Sequence, residues 1–213
     1  MKTKVCGMKY FDNISELCQL DIDLIGFIFY KDSPRYIEDS LSFDGVRIIP
    51  NQIKKVGVFV NENVYSVLNA VAHYDLDIVQ LHGNETTKEC EELRKYVKVI
   101  KAFQINESFD FSILKNYNAV VDYFLFDAKG KNYGGNGISF NLSILKNYKS
   151  NVPYFLSGGI DSESLEQLKN TDIPKPFAFD LNSKFEIEPG SKDIQKVKLF
   201  IEKIKTYENA ILS

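Results

Sequence analysis

Ile25-Gly26-Phe27-Ile28-Phe29 and Val56-Gly57-Val58-Phe59-Val60 carry no polar side chain at any position. A strand with one wet face alternates apolar and polar residues. One that is apolar throughout is covered on both faces, as parallel strands under helices are. Working outward, similar segments recur at Thr3–Cys6, Leu24–Tyr30, Lys55–Val60, Ile78–His82, Val97–Phe103, Tyr123–Asp127, Pro153–Ser157 and Phe177–Leu181, with helical patterns between them. Their ends fall about every twenty to thirty residues, the length of one βα unit. Eight such units in 213 residues predict an α/β fold, a single (β/α)8 TIM barrel over residues 1–213. A doubly wound open sheet with that many strands is normally larger.

The intervening segments begin on recognisable caps. Asn13 and Thr86 each stand three residues before a glutamate, the spacing of a capping box. Asn61, Asp161 and Ser191 are further N-cap candidates. A helix over Ile14–Leu20 puts Ile14, Leu17 and Cys18 on one face, and Cys90 with Leu93 follows the same logic after Thr86. Both cysteines are therefore expected in the core. Ile194, Val197, Phe200, Ile201 and Ile204 line one side of a closing helix. Lys31–Ile37 and Ala128–Ile138 are long for plain connections, and long loops in small domains are often functional. The second holds Tyr133-Gly134-Gly135-Asn136-Gly137, which lacks dinucleotide-binding spacing and reads as a lid or as a surface loop.

Composition narrows the function. With 44% hydrophobic and 26% charged residues there is material for a sizeable core, and a net charge of −3 gives no support to nucleic-acid or anionic-membrane binding. Cys6, Cys18 and Cys90 form no CxxC pair and follow no secretory leader, which points to the reducing cytoplasm. Only His73 and His82 offer imidazole ligands, so no metal is expected. No apolar run approaches the ~20 residues of a membrane span. The expected partner is a small molecule, with no nucleic acid and no membrane, and a monomer is the default.

In such a barrel, residues at or just past each strand's C-terminal end share one face. Here they are Cys6, the Asp32-Ser33-Pro34-Arg35 loop, His82, Asp127, Ser157-Gly158-Gly159 and Asp180-Leu181-Asn182-Ser183. By residue type they offer a nucleophile or base, a carboxylate, a guanidinium, an imidazole and two segments able to hold an anion. Gly158 and Gly159 let backbone N–H groups approach a ligand beside the helix starting near Asp161. Asn182-Ser183-Lys184 is the other half of the position where many barrels bind phosphate. A tight turn is the simpler reading of Ser-Gly-Gly. Cys6 can equally be small core filler. Arg35 is either a carboxylate clamp or a solvated surface residue, and His82 either a ligand contact or a hydrogen-bonded rim histidine.

Several segments, taken in chain order, resemble the phosphoribosylanthranilate isomerases, barrel enzymes of tryptophan biosynthesis. They are Lys4-Val5-Cys6-Gly7, Gly26-Phe27-Ile28-Phe29 with Ser33-Pro34-Arg35-Tyr36, and Val56-Gly57-Val58-Phe59-Val60-Asn61. Gln80-Leu81-His82-Gly83, Phe124-Leu125-Phe126-Asp127, Gly134-Gly135-Asn136-Gly137, Leu156-Ser157-Gly158-Gly159 and Glu188-Pro189-Gly190 with Lys192-Asp193 complete the series. The resemblance implies a cofactor-free Amadori rearrangement of N-(5'-phosphoribosyl)anthranilate to 1-(2-carboxyphenylamino)-1-deoxyribulose 5-phosphate. It implies Asp127 as general acid, Cys6 as general base and Arg35 on the anthranilate carboxylate. Gly158, Gly159 and Ser183 would hold the phosphate of this small substrate, with His82, Asp180 and Asn182 also binding it. Two departures stand out: Lys184 where the family usually has glycine, and Asn136 where it usually has threonine. An epimerase-like phosphosugar barrel would need histidine and aspartate metal ligands that the two histidines do not supply. A non-catalytic phosphate-binding barrel would have no use for Cys6 and Asp127 together.

The implied chemistry sets a requirement. An ordinary aspartate has a pKa of about 3.9 and an ordinary cysteine about 8.5, yet the acid must be protonated and the thiol ionised. That exchange costs roughly 6 kcal/mol before the protein intervenes. The surroundings of the two groups have to close the gap.

Overall fold

A computed structural model describes residues 1–37, 43–128 and 142–212. Eight parallel strands close into a barrel in sequence order: β1 (Lys2–Cys6), β2 (Leu24–Ile28), β3 (Lys54–Phe59), β4 (Ile78–Leu81), β5 (Lys98–Ile105), β6 (Tyr123–Ala128), β7 (Tyr154–Ser157) and β8 (Ala178–Leu181). Every strand expected from the apolar runs is present, with ends shifted by no more than two residues. The ring is sealed where β1 pairs with β8, Lys4 lying opposite Asp180. Helices α1 (Phe11–Leu17), α2 (Phe43–Arg47), α3 (Val64–Tyr74), α4 (Thr87–Arg94), α5 (Ser162–Lys169) and α6 (Ile194–Leu212) follow strands, and a small hairpin, β9 (Glu186–Glu188) with β10 (Ser191–Lys192), comes after β8. Among the described residues no helix is long and apolar enough to cross a membrane.

Strand alternation sorts the side chains into two apolar bodies. Val5, Phe27, Phe59, Val79, Val99 and Phe179 belong to the large cluster that packs against the helices. Leu24, Val56, Ile78, Ile100, Leu125 and Phe155 belong to a separate plug inside the ring. Towards the strands' C-terminal ends the plug gives way to Lys4, Gln80 and Asp180, all buried. Buried polar groups persist only with partners, so this layer is where the fold commits its interior to something other than packing.

The helix starts follow the expected chemistry at two of five positions. Thr86 closes a full capping box with Glu89, and Asp161 accepts from the backbone of Glu163 and Ser164 at the start of α5. Asn13 is not a cap: α1 starts earlier, after Tyr10, and the Asn13 amide bonds both the N–H and the carbonyl of Lys192 instead. Asn61 sits in a left-handed turn and accepts from Asn84 N–H, leaving Asn63 to cap α3. Ser191 lies in β10, and Asp193 accepts from Lys196 N–H as α6 begins. Among the described residues, the units after β5 and β6 contain 3-10 turns, Phe111–Asn116 and Leu142–Asn147, and no α-helix. Both turns carry Ser-Ile-Leu-Lys-Asn followed by tyrosine, a repeat in adjacent units. Cys90 is fully buried, and Cys18 is half-buried against the same core.

Candidate active site

Cys6 ends β1 with 3% of its surface exposed, facing the upper end of the ring. Gly26 on the neighbouring strand makes room for it, since a β-carbon there would lie 2.8 Å from the sulfur. Burial pushes the thiol above its ordinary range; the Lys4 ammonium pulls it down, Asp180 raises it, and Lys192 lowers it. Burial likewise pushes the Cys90 thiol up, to about 12, against an opposing pull from Lys101. Beneath Cys6, Lys4 Nζ lies 2.7 Å from Asp180 Oδ1, and Ser157 Oγ donates to Asp180 Oδ2 at 3.1 Å. Asp180, expected to bind substrate, is thus buried with both oxygens engaged.

A second cluster joins the loop after β2 to the hairpin. Arg35 Nε donates to Glu186 Oε1 at 2.8 Å, and Arg35 Nη2 donates to Glu186 Oε2. This bidentate geometry fixes the guanidinium through its Nε and Nη2 edge. Lys192, without exposed side-chain surface, donates to Glu186 Oε1 at 2.6 Å and to Asn182 Oδ1 at 2.8 Å. Burial holds the Lys192 ammonium below the ordinary lysine value, with Glu186 opposing. Asn182 thereby belongs to the rim network as well as to the strand end.

The third group lies on β6 and β4. His82 Nε2 is 3.5 Å from Asp127 Oδ2, and Gln80 Nε2 lies 3.0 Å from His82 Nδ1. With the amide assigned this way, Gln80 donates to Nδ1 and the ring proton sits on Nε2, facing Asp127. Gln80 Oε1 is buried without a hydrogen-bond partner among the described residues. Two glycines follow β7 in positive-φ conformations, Gly158 at +90° and Gly159 at +74°. Gly158 packs on the backbone of Ala128, next to Asp127, whereas Gly159 faces open space. Ser183 is exposed at the start of a short 3-10 turn, and Lys184 reaches back to Asp161 at 3.3 Å, at the start of α5.

Cys6, His82, Asp127, Gly158, Gly159, Asn182 and Ser183 thus stand at or just past the C-terminal ends of parallel strands, Arg35 lies in the loop beyond β2, and Asp180 is buried within β8. The glycine-rich segment Tyr133–Gly137, including Asn136, lies outside the described residues. The roles of Lys4, Gln80, Glu186 and Lys192 escaped the residue-by-residue reading. Lys4 and Gln80 were discernible, each standing two residues before a strand-end candidate and so on the same face of its strand. Glu186 and Lys192 gave no such signal.

Comparison with known proteins agrees with this geometry. The family model described as N-(5'phosphoribosyl)anthranilate (PRA) isomerase matches residues 3–203. The chain is 46% identical over 209 residues to the N-(5'-phosphoribosyl)anthranilate isomerase of Parabacteroides distasonis, covering 96% of this chain and 93% of that one. Among solved structures, the phosphoribosyl anthranilate isomerase of Thermotoga maritima superposes with a TM-score of 0.83 at 32% identity, covering 97% of this chain and 99% of that one. A phosphoribosyl anthranilate isomerase solved in complex with reduced 1-(o-carboxyphenylamino)-1-deoxyribulose 5-phosphate superposes with a TM-score of 0.81 at 30% identity, with the same coverage. A match running through all eight strands of the closed barrel leads to one conclusion: this chain belongs to the N-(5'-phosphoribosyl)anthranilate isomerase family.

Proposed function

We propose that this protein is an aldose–ketose isomerase that converts N-(5'-phosphoribosyl)anthranilate to 1-(2-carboxyphenylamino)-1-deoxyribulose 5-phosphate in tryptophan biosynthesis. The observation that carries the reading is the shared face: a thiol on β1, a carboxyl on β6 and a double-glycine turn after β7 open onto one end of the ring. Asp127 protonates the furanose ring oxygen; the C1–O bond breaks towards that oxygen as the anthranilate nitrogen lone pair forms a C1=N iminium. Cys6 thiolate removes the C2 proton, and the C–H electron pair becomes the C1=C2 bond of an enolamine while nitrogen regains its lone pair. Protonation at C1 and loss of the C2 hydroxyl proton give the ketone. No net proton is consumed by the substrate, but the proton that began on Asp127 is matched by one that ends on sulfur. His82, 3.5 Å from Asp127, contacts the substrate beside the acid.

The rest of the site binds. Arg35, held by Glu186, takes the anthranilate carboxylate. The backbone at Gly158, Gly159 and Ser183 takes the phosphate, with Lys184 adding a charge at its rim and Asn182 tying this side to Lys192. We further read the barrel as one domain acting in the cytoplasm. The test is direct: adding purified protein to fluorescent phosphoribosylanthranilate abolishes its emission and yields the ketose. Unchanged fluorescence with a folded protein refutes the assignment.

A further inference from the structure

The proposed reaction requires a buried thiol to become an anion, and the layer beneath it contains a cation that packing alone does not account for. We propose that Lys4, held by Asp180, is a positioning residue that fixes the Cys6 sulfur and balances its negative charge, an inference that rests on Cys6 being the base.

Lys4 and Cys6 stand two apart on β1 and so point into the ring together. Lys4 has no exposed side-chain surface, lies 2.7 Å from Asp180 Oδ1, and carries a charge that acts on the Cys6 thiol. Asp180 is tethered in turn by Ser157 Oγ at 3.1 Å. A buried ion pair is a poor way to hold a core together, because apolar residues of the same volume usually do as well or better. What an apolar replacement cannot supply is a positive charge on the same face of β1 as the sulfur.

The charges around the sulfur support the same conclusion. Lys4 from β1, Lys192 from β10 and Arg35 from the loop after β2 are cationic; Asp180 from β8 and Glu186 from β9 are anionic. Gly26 on β2 adds no side chain, and Asp127 with His82 stands at least three strands round the ring. With Cys6 as a thiol, these described groups carry one unmatched positive charge. With Cys6 as a thiolate, every cation has an anion. Burial still raises the thiol, so the network reduces the cost of ionisation rather than abolishing it.

Two substitutions separate this from a merely structural role, because they act in opposite directions on one observable. The thiolate absorbance of Cys6 is titrated as the ultraviolet difference between the protein and its Cys6→Ser variant, in each background. Lys4→Met removes the balancing cation and raises the pH midpoint by about one pH unit or more. Asp180→Asn keeps the shape and leaves Lys4 to face the sulfur alone, so it lowers the midpoint. The acid limb of the kcat–pH profile moves with the midpoint in each case. A midpoint unmoved in Lys4→Met, or moved the same way by both changes, overturns the inference. Should Lys4→Met fail to fold, Asp180→Asn decides alone, and an unmoved or raised midpoint refutes it. Near-normal turnover by Cys6→Ser would instead overturn the base assignment and leave the titration result standing.

Discussion

Replacing Gly158 with alanine tests how the end of β7 is fitted against β6. The added β-carbon would lie 2.2 Å from the carbonyl oxygen and 2.4 Å from the nitrogen of Ala128, both backbone atoms that no rotamer change can move. The residue also sits at a φ of +90°, where a side chain is strained by about 1–3 kcal/mol. Forcing apart a packed contact adds about 1–3 kcal/mol, so Gly158→Ala is expected to cost roughly 4 kcal/mol in all. Gly159→Ala is the built-in control: its φ is +74°, but its β-carbon meets nothing within 4 Å. It should cost only the backbone strain, about 1–2 kcal/mol. At roughly 2–4 °C per kcal/mol for a chain of this size, the melting points should fall by about 10 °C and about 4 °C respectively. Because Ala128 follows Asp127, Gly158→Ala should also lower kcat, whereas Gly159→Ala should act on KM through the phosphate. Calorimetry and steady-state kinetics on the two proteins give the answer. If Gly158→Ala melts no lower than Gly159→Ala, the packing of this turn on β6 is wrong.

Cys6→Ser should lose at least about a hundredfold in kcat with little change in KM, since an alkoxide forms far less readily than a thiolate; near-normal kcat would remove Cys6 as base. Arg35→Ala should raise KM about 10–100-fold, the worth of one charged hydrogen-bonded contact, and an unchanged KM would exclude the clamp. For Glu186, burial works against ionisation, but hydrogen bonds from Arg35 and Lys192 hold its carboxyl below the usual glutamate range. The unfolded chain then binds more protons than the folded one in acid. The stabilisation is therefore complete above the ordinary value of about 4.3 and drains away as pH falls through the lower, folded value. Denaturant titrations from neutral pH to about pH 3 should show a shallower acid loss in Glu186→Gln than in the wild type, and equal slopes would refute the coupling.

The ring was legible because two-sided burial leaves a plain mark: strands such as Ile25–Phe29 contain nothing polar. The helix caps were less so. Asn13, Asn61 and Ser191 have suitable side chains, but tertiary partners claim Asn13 and Asn61, and a hairpin claims Ser191. The residues proposed to react were legible as candidates by their position at strand ends. Their supports could not all be found that way, because a lysine in a strand ordinarily reads as solvent-facing, and Lys4 is buried by a partner 176 residues away. Glu186 and Lys192 sit in a seven-residue hairpin whose Pro189-Gly190 turn reads as surface loop. Nothing local announces that both reach into the rim. The paired Ser-Ile-Leu-Lys-Asn-Tyr runs carry helical-looking spacing, yet each makes only a short 3-10 turn.

The join between β1 and β8 brings the first and last staves of the barrel side by side, and the bond that clasps them is Lys4 to Asp180. Residues 176 positions apart are thereby tied together through the floor of the proposed site, so that closing the ring and pairing this buried cation are a single event.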